Sequence, residues 1–172
     1  VGLADAPSFA GKRPPLVRLY TAYFNRLPDL GGLTYWTGKL DKGTKLDQVS
    51  ASFAASSEFK AKYGNLTNKD FVIRIYDNIF DRSPDPSGLA YWTKKLDSGM
   101  SRGTVMTNFS ESGEGKRVLD PYVQVTLISL GMLHTMPSAT LRGTMVPAIA
   151  MNGAEAGVAA MLAAPEYQTL IV

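Results

Sequence analysis

One set of chemically capable side chains occurs twice in this chain, in the same order. Arg26, Asp29, Tyr35 and Trp36 lie in FNRLPDLGGLTYW, and Arg82, Asp85, Tyr91 and Trp92 lie in FDRSPDPSGLAYW. A loop aspartate flanked by backbone carbonyls can offer oxygen ligands to calcium, but calcium takes six to eight of them and the spacing is not that of an EF-hand loop. The competing reading is structural. Asp85 followed by Pro86 has the pattern of a helix N-cap before a proline at the first helical position, and Asp29 fits the same role. Arg26 and Arg82 can grip an acidic sugar or a carboxylate through two parallel hydrogen bonds. They can equally tie to the loop aspartates, or to Glu58 and Glu114. Adjacent residues on a helix point about 100° apart. Trp36 and Trp92, in phase with neighbouring leucines, are therefore expected in the core, whereas Tyr35 and Tyr91 are the candidates for a platform that stacks on sugar rings or on a partner protein. Gly32 and Gly88 are read as structural. The ligand-binding candidates are thus Arg26, Asp29, Tyr35, Arg82, Asp85 and Tyr91.

Catalytic chemistry has little to work with. The only histidine, His134, lies in an apolar run and is expected to be packed or hydrogen-bonded, and there is no cysteine. A zinc site or a Ser-His-Asp arrangement would need unusual partners. Glu58 and Glu114 occupy equivalent places, whereas a glycosidase sets its acid and base in different environments. Neither a P-loop nor a G-x-G-x-x-G fingerprint is present. The expectation is a protein that is not an enzyme and carries no cofactor, with calcium at the loop as the exception to test.

The elements that must position these groups are helices. The two motifs stand 56 residues apart without a gap, matching Tyr20, Phe24, Gly43, Val49, Phe53 and Ser56 to Tyr76, Phe80, Gly99, Val105, Phe109 and Ser112. Apolar residues recur at three- and four-residue steps from Pro14 to Leu27 and again through Val72, Ile75, Tyr76, Ile79 and Phe80. A second helix carries Leu33, Trp36 and Leu40, or Leu89, Trp92 and Leu96, and should stop at Gly43 or Gly99. A third should break at Ser56 or Ser112. Thr67 with Asp70 has the spacing of a capping box opening the second unit. The prediction is an all-α array: an N-terminal extension over 1–13, units over 14–66 and 67–119, and a degenerate third unit over 120–172, packed together because no single unit buries its own apolar faces.

Beyond residue 120 the composition changes. Residues 121–172 hold three charged side chains, Arg142, Glu155 and Glu166, against thirty in the first 120. APEYQ resembles SSEFK, Met145 stands near the tryptophan position, and Pro121, Pro137, Pro147 and Pro165 are expected to begin or break helices. A length of 172 residues suffices for one or two compact units, and the net charge of +3, spread among acidic residues, points away from nucleic acid. No apolar stretch approaches the length of about 20 residues needed to span a bilayer. The start at Val1 reads as a processed chain or an excised fragment.

The R-x-PD-x-x-GL-x-YW core, followed by a glycine turn and then by SSEF or SGEG, resembles the bacterial domain of unknown function 4214. SGEG departs from the family's usual aromatic after the glutamate, and the third segment keeps Pro137 but has no loop aspartate. The family is similar to the linker domain of the phycobilisome, which is helical and binds other proteins. It occurs as a module of secreted or surface-layer proteins. The resemblance therefore implies an extracellular or cell-surface accessory module that binds a protein partner or a neighbouring domain, or a surface glycan, without an established activity.

Overall fold

The computed structural model describes residues 6–170, and side chains from Gly11 onward. Residues 1–5 of the expected N-terminal extension lie outside the described residues. The described residues form eleven helices and no strand. The first unit is α1 (Ala6–Phe24), α2 (Leu30–Asp41), α3 (Leu46–Ala55) and α4 (Ser57–Tyr63). The second repeats the order as α5 (Asn68–Phe80), α6 (Pro86–Asp97), α7 (Arg102–Ser110) and α8 (Gly113–Met132). Local chemistry explains most boundaries. Gly43 and Gly99, at φ +91° and +94°, follow the second helices as the sequence predicted. Ser56 and Ser112 each accept a hydrogen bond from a backbone N–H three residues on, at 3.1 and 2.9 Å, and so start the fourth helices. Thr67 accepts from the Asp70 N–H at 3.1 Å, but the return bond of a capping box is replaced by the Thr67 hydroxyl donating to the Asp70 carboxylate at 2.7 Å.

Three expectations about ends are corrected. α1 opens at Ala6 and runs through Pro14 and Pro15, so the helix precedes the periodic stretch that announced it. Pro121 lies inside α8 and Pro147 inside α9 (Ala139–Asn152). An internal proline removes one N–H and crowds the carbonyl four residues back, a cost that tertiary packing must offset. Pro121 is itself buried, which supplies that packing. The fourth helix of unit one stops at Gly64, φ +71°, whereas the matching position in unit two is Asp120 and α8 continues for another three turns.

The remaining helices are α10 (Ala154–Leu162) and α11 (Pro165–Gln168). Residues at the same backbone landmarks recur through all three segments. The helices α1, α5 and α8 are each followed at their C-terminal ends by a left-handed non-glycine residue: Asn25 at φ +51°, Asp81 at +50° and His134 at +56°. Left-handed backbone costs an ordinary residue energy and is best tolerated by Asn, Asp and His. His134 is therefore an exposed helix-terminating residue, not the packed one expected from its apolar surroundings.

Two apolar cores result. The larger is shared by the first two units and includes Leu16, Leu19, Tyr23, Phe53, Phe59, Phe71, Ile75 and Phe109. The smaller holds Val125, Leu141, Met145, Ile149 and Met161, beneath α9 and α10. Units one and two meet chiefly where α3 crosses α7. A Cβ on Gly103 would lie 2.5 Å from both Ala51 N and Asp47 O, so the two backbones touch only because that residue is glycine. The Ser50 hydroxyl fixes the crossing by bonding Gly103 O at 2.9 Å and Tyr23 OH at 2.9 Å.

Candidate functional site

The repeated loop folds the same way in both units. Asp29 Oδ1 accepts from the Gly32 N–H at 2.7 Å and Asp85 Oδ1 from the Gly88 N–H at 2.8 Å, capping α2 and α6. The Ser87 hydroxyl adds a bond to Asp85 at 2.5 Å, and it, with the Gly88 N–H, holds that carboxyl below the usual carboxylate range. Among the described residues no three His, Cys, Asp or Glu side chains gather as metal ligands. Asp85→Ala should lower the melting temperature by removing the cap on α6. Thermal melts with and without calcium check this, and a calcium-dependent gain in the native protein that the variant loses would make the loop a metal site instead.

The arginines are tied. Arg26 Nε and a terminal nitrogen donate to the two oxygens of Glu58 at 2.7 and 2.8 Å, and Arg82 donates to Glu114 at 3.1 Å. Each guanidinium also lies over aromatic faces, Arg26 at 5.3 Å from Tyr20 and Arg82 at 5.2 Å from Tyr76. The hydrogen bonds from Arg26 hold the Glu58 carboxyl below its ordinary range and raise the arginine in turn. A carboxyl lowered in the folded state contributes stability that is fully present above its unfolded pKa of about 4.3 and is lost as pH falls through the folded value. Glu58→Gln should therefore flatten the acid limb of the stability curve, read from urea midpoints between neutral pH and about pH 3, and an unchanged slope would mean the pair is not formed in solution.

The glycines in the motif are required by tyrosines. A Cβ on Gly32 would sit 2.5 Å from Tyr20 OH, and one on Gly88 would sit 2.8 Å from Tyr76 OH. Burial pushes both phenols up, and Asp29 or Asp85 adds to the effect. Counted back five residues from the left-handed position, the third segment has Ser129 where the tyrosines stand, and three residues after the cap it has Leu141 where the glycines stand. Both are buried, so this segment sets a small residue and a large one where the first two set a large one and a glycine. Gly32→Ala should cost about 1–2 kcal/mol by overpacking, yet become neutral or stabilising in a Tyr20→Phe background, where the helix preference of alanine over glycine takes over. A double-mutant cycle measures the coupling.

The tyrosines and tryptophans divide as the helical spacing suggests, with one change. Tyr35 and Tyr91 are 57% and 54% exposed. Each stands edge-on to its own tryptophan at 5.0 and 5.1 Å, with Lys39 or Lys95 over its ring. Trp36 and Trp92, expected in the core, are half-buried and pack on its edge against Phe53 at 5.3 Å and Phe109 at 4.9 Å. The structure therefore brings Arg26 to Glu58 and Asp29 to Gly32, and leaves Tyr35 facing solvent; Arg82, Asp85 and Tyr91 repeat this. In the third segment Ser138 caps α9, donates to Glu166 at 2.6 Å and replaces both the aspartate and the arginine tie. Sequence reasoning missed Arg18, a buried guanidinium bonded to Glu111 and Asp120. Its only signal is a charge inside the apolar stretch LVRLY.

Residues 50–119 match the family model of a domain of unknown function, DUF4214. The matched segment runs from α3 into α8 and contains the whole second motif. Comparison with curated proteins and with solved structures found no match.

Proposed function

We propose that this DUF4214 chain is a noncatalytic helical interaction module of a secreted or cell-surface protein, holding a protein partner or a neighbouring domain. The observation that carries this reading is the surface of the third segment. Met151, Leu162 and Leu170 are 81%, 44% and 60% exposed on a stretch with three charged residues. Large exposed apolar side chains on a stretch with so little charge suit contact with another macromolecule. The repeated loops support it from the other side, since their aspartates cap helices and their arginines are paired with glutamates. None of these groups is left in the unequal environments that acid–base chemistry requires. No helix among the described residues is long and apolar enough to cross a membrane.

The exposed Tyr35 and Tyr91, each beside a lysine, favour a second reading, stacking on a surface glycan. A photo-crosslinking residue at Met151, and another at Tyr91, separates the two in the producing cells. The module reading expects discrete protein adducts from Met151. A thermal-melt panel of glycans complements it, because any ligand of the native state raises apparent stability. A shift with one glycan that Tyr91→Ala abolishes, with no protein adduct from Met151, would replace the first reading by the second.

A further inference from the structure

The third helices of units one and two, α3 and α7, cover one another, while the third helix of the last segment, α10, has no such cover. The equivalence is set by landmarks on both sides. α3 and α7 precede the serines at 56 and 112, and α10 precedes Ala164, which occupies the same turn before a short helix or helical start. In that register the residues that face their own unit's core agree. Val49 and Val105 correspond to the buried Gly157, and Phe53 and Phe109 to the buried Met161.

The residues that face the other unit do not agree. Ser50 and Met106, enclosed in the α3–α7 contact, correspond to Val158, which is 37% exposed. Ala54 and Ser110, on the same contact face, correspond to the exposed Leu162. Ala51, whose backbone nitrogen marks the close approach to Gly103, corresponds to the exposed Ala159. This face of α10 is more apolar than the internal pair it matches, yet nothing among the described residues covers it. The chain itself contains the arrangement that covers such a face: a second helix of the same kind, crossing at the same turn.

We propose that α10 pairs with α10 of a second copy of this chain across a two-fold axis, reproducing between molecules the crossing that α3 and α7 make within one. Such an interface is self-complementary by symmetry, because one patch serves both partners. It rests on the interaction-module reading and names the partner for one face. The register also says what limits it. Glu155 stands where Asp47 and Gly103 meet, so the pair sets two carboxylates together at the crossing and forbids the backbone approach that Gly103 allows. The pair is therefore weaker than the internal one, and its strength is governed by residue 155.

The whole chain tests this by sedimentation equilibrium over a wide concentration range, with circular dichroism to show that each variant keeps its helices. Wild type should show reversible dimerisation, and Glu155→Gly should tighten it about tenfold. Val158→Glu should weaken it about tenfold or more, the size expected of a central interface side chain. Because the chain has no cysteine, geometry can be read separately. Glu155→Cys should oxidise to a covalent dimer much faster than Met151→Cys, which lies outside the face. A chain that stays monomeric even as Glu155→Gly, or a dimer that persists in folded Val158→Glu, overturns the pairing. The interaction-module reading itself falls only with the crosslinking from Met151, so the two failures are distinct.

Discussion

Phe53→Ala should lower the stability of the chain by about 3–5 kcal/mol, the largest effect expected of any single truncation in the first unit. Phe53 is nearly inaccessible, and four rings surround it: Tyr20 at 4.7 Å, Phe24 at 5.2 Å, Trp36 at 5.3 Å and Tyr23 at 5.8 Å. It is the residue through which α1, α2 and α3 share one core. Edge-to-face aromatic pairs add about 0.5–1.5 kcal/mol each beyond area burial, so the cavity left by alanine loses pair energy as well as transfer energy. Its counterpart Phe109 meets three rings, Tyr76, Phe80 and Trp92, because the position matching Tyr23 is Ile79. Phe109→Ala should therefore act in the same direction by less. Urea denaturation measures both, through a fall in midpoint at constant slope. A loss below about 1 kcal/mol at Phe53 would mean that the aromatic cluster is not the organising contact of the unit.

The repeat made most of this legible because an ungapped offset transfers every local rule from one copy to the other. Asp85-Pro86 declares a helix start, and Asp29 inherits it; Gly99 declares a stop, and Gly43 inherits it. What failed were rules whose outcome depends on distant partners. Proline read as a breaker at 121, yet α8 passes through it, since the site is buried and its neighbours hold the helix. The substitution of Asp120 for the Gly64 of unit one was the better local signal. The tryptophans read as core because their spacing matches the leucines. That spacing sets which side of a helix faces inward, while the depth of α2 and α6 in the array depends on what lies beyond them. Both helices sit at the rim, so Trp36 and Trp92 are half-buried. The third segment is hard to align by residue type, because its substitutions are coupled: Ser129 for tyrosine accompanies Leu141 for glycine, and Ser138 takes over from aspartate and arginine together. Backbone landmarks such as the left-handed Asn25, Asp81 and His134 survive those exchanges.

Arg18→Ala should cost about 2–3 kcal/mol, and the reason lies in contacts that no local pattern announces. Its guanidinium is buried and donates to both oxygens of Glu111, at 2.7 and 2.6 Å, and to Asp120 at 2.9 Å. Burial alone would make the charged form harder to hold, but the bonds and charges of the two carboxylates outweigh it and raise the arginine further. Removing one member of a buried ionic group costs about 3–5 kcal/mol when the others stay dry. Here Glu111 and Asp120 retain access to water, and Lys116 stands 3.6 Å from Glu111, which moves the expectation to the lower figure. Glu111→Gln should destabilise the native protein but have much less effect once Arg18 is alanine, and the double-mutant cycle reads that difference. Additive losses would mean the three side chains act separately. Asp120 gives the triad its structural meaning. It occupies the position at which Gly64 ends the first unit, and it is gripped from α1 where α8 runs on past that end, still lining the shared core through Val123 and Leu130. Arg18 thus fastens α8, which contributes to both cores, and its loss should also loosen how α9 and α10 are held, seen as faster amide exchange in the second half of α8.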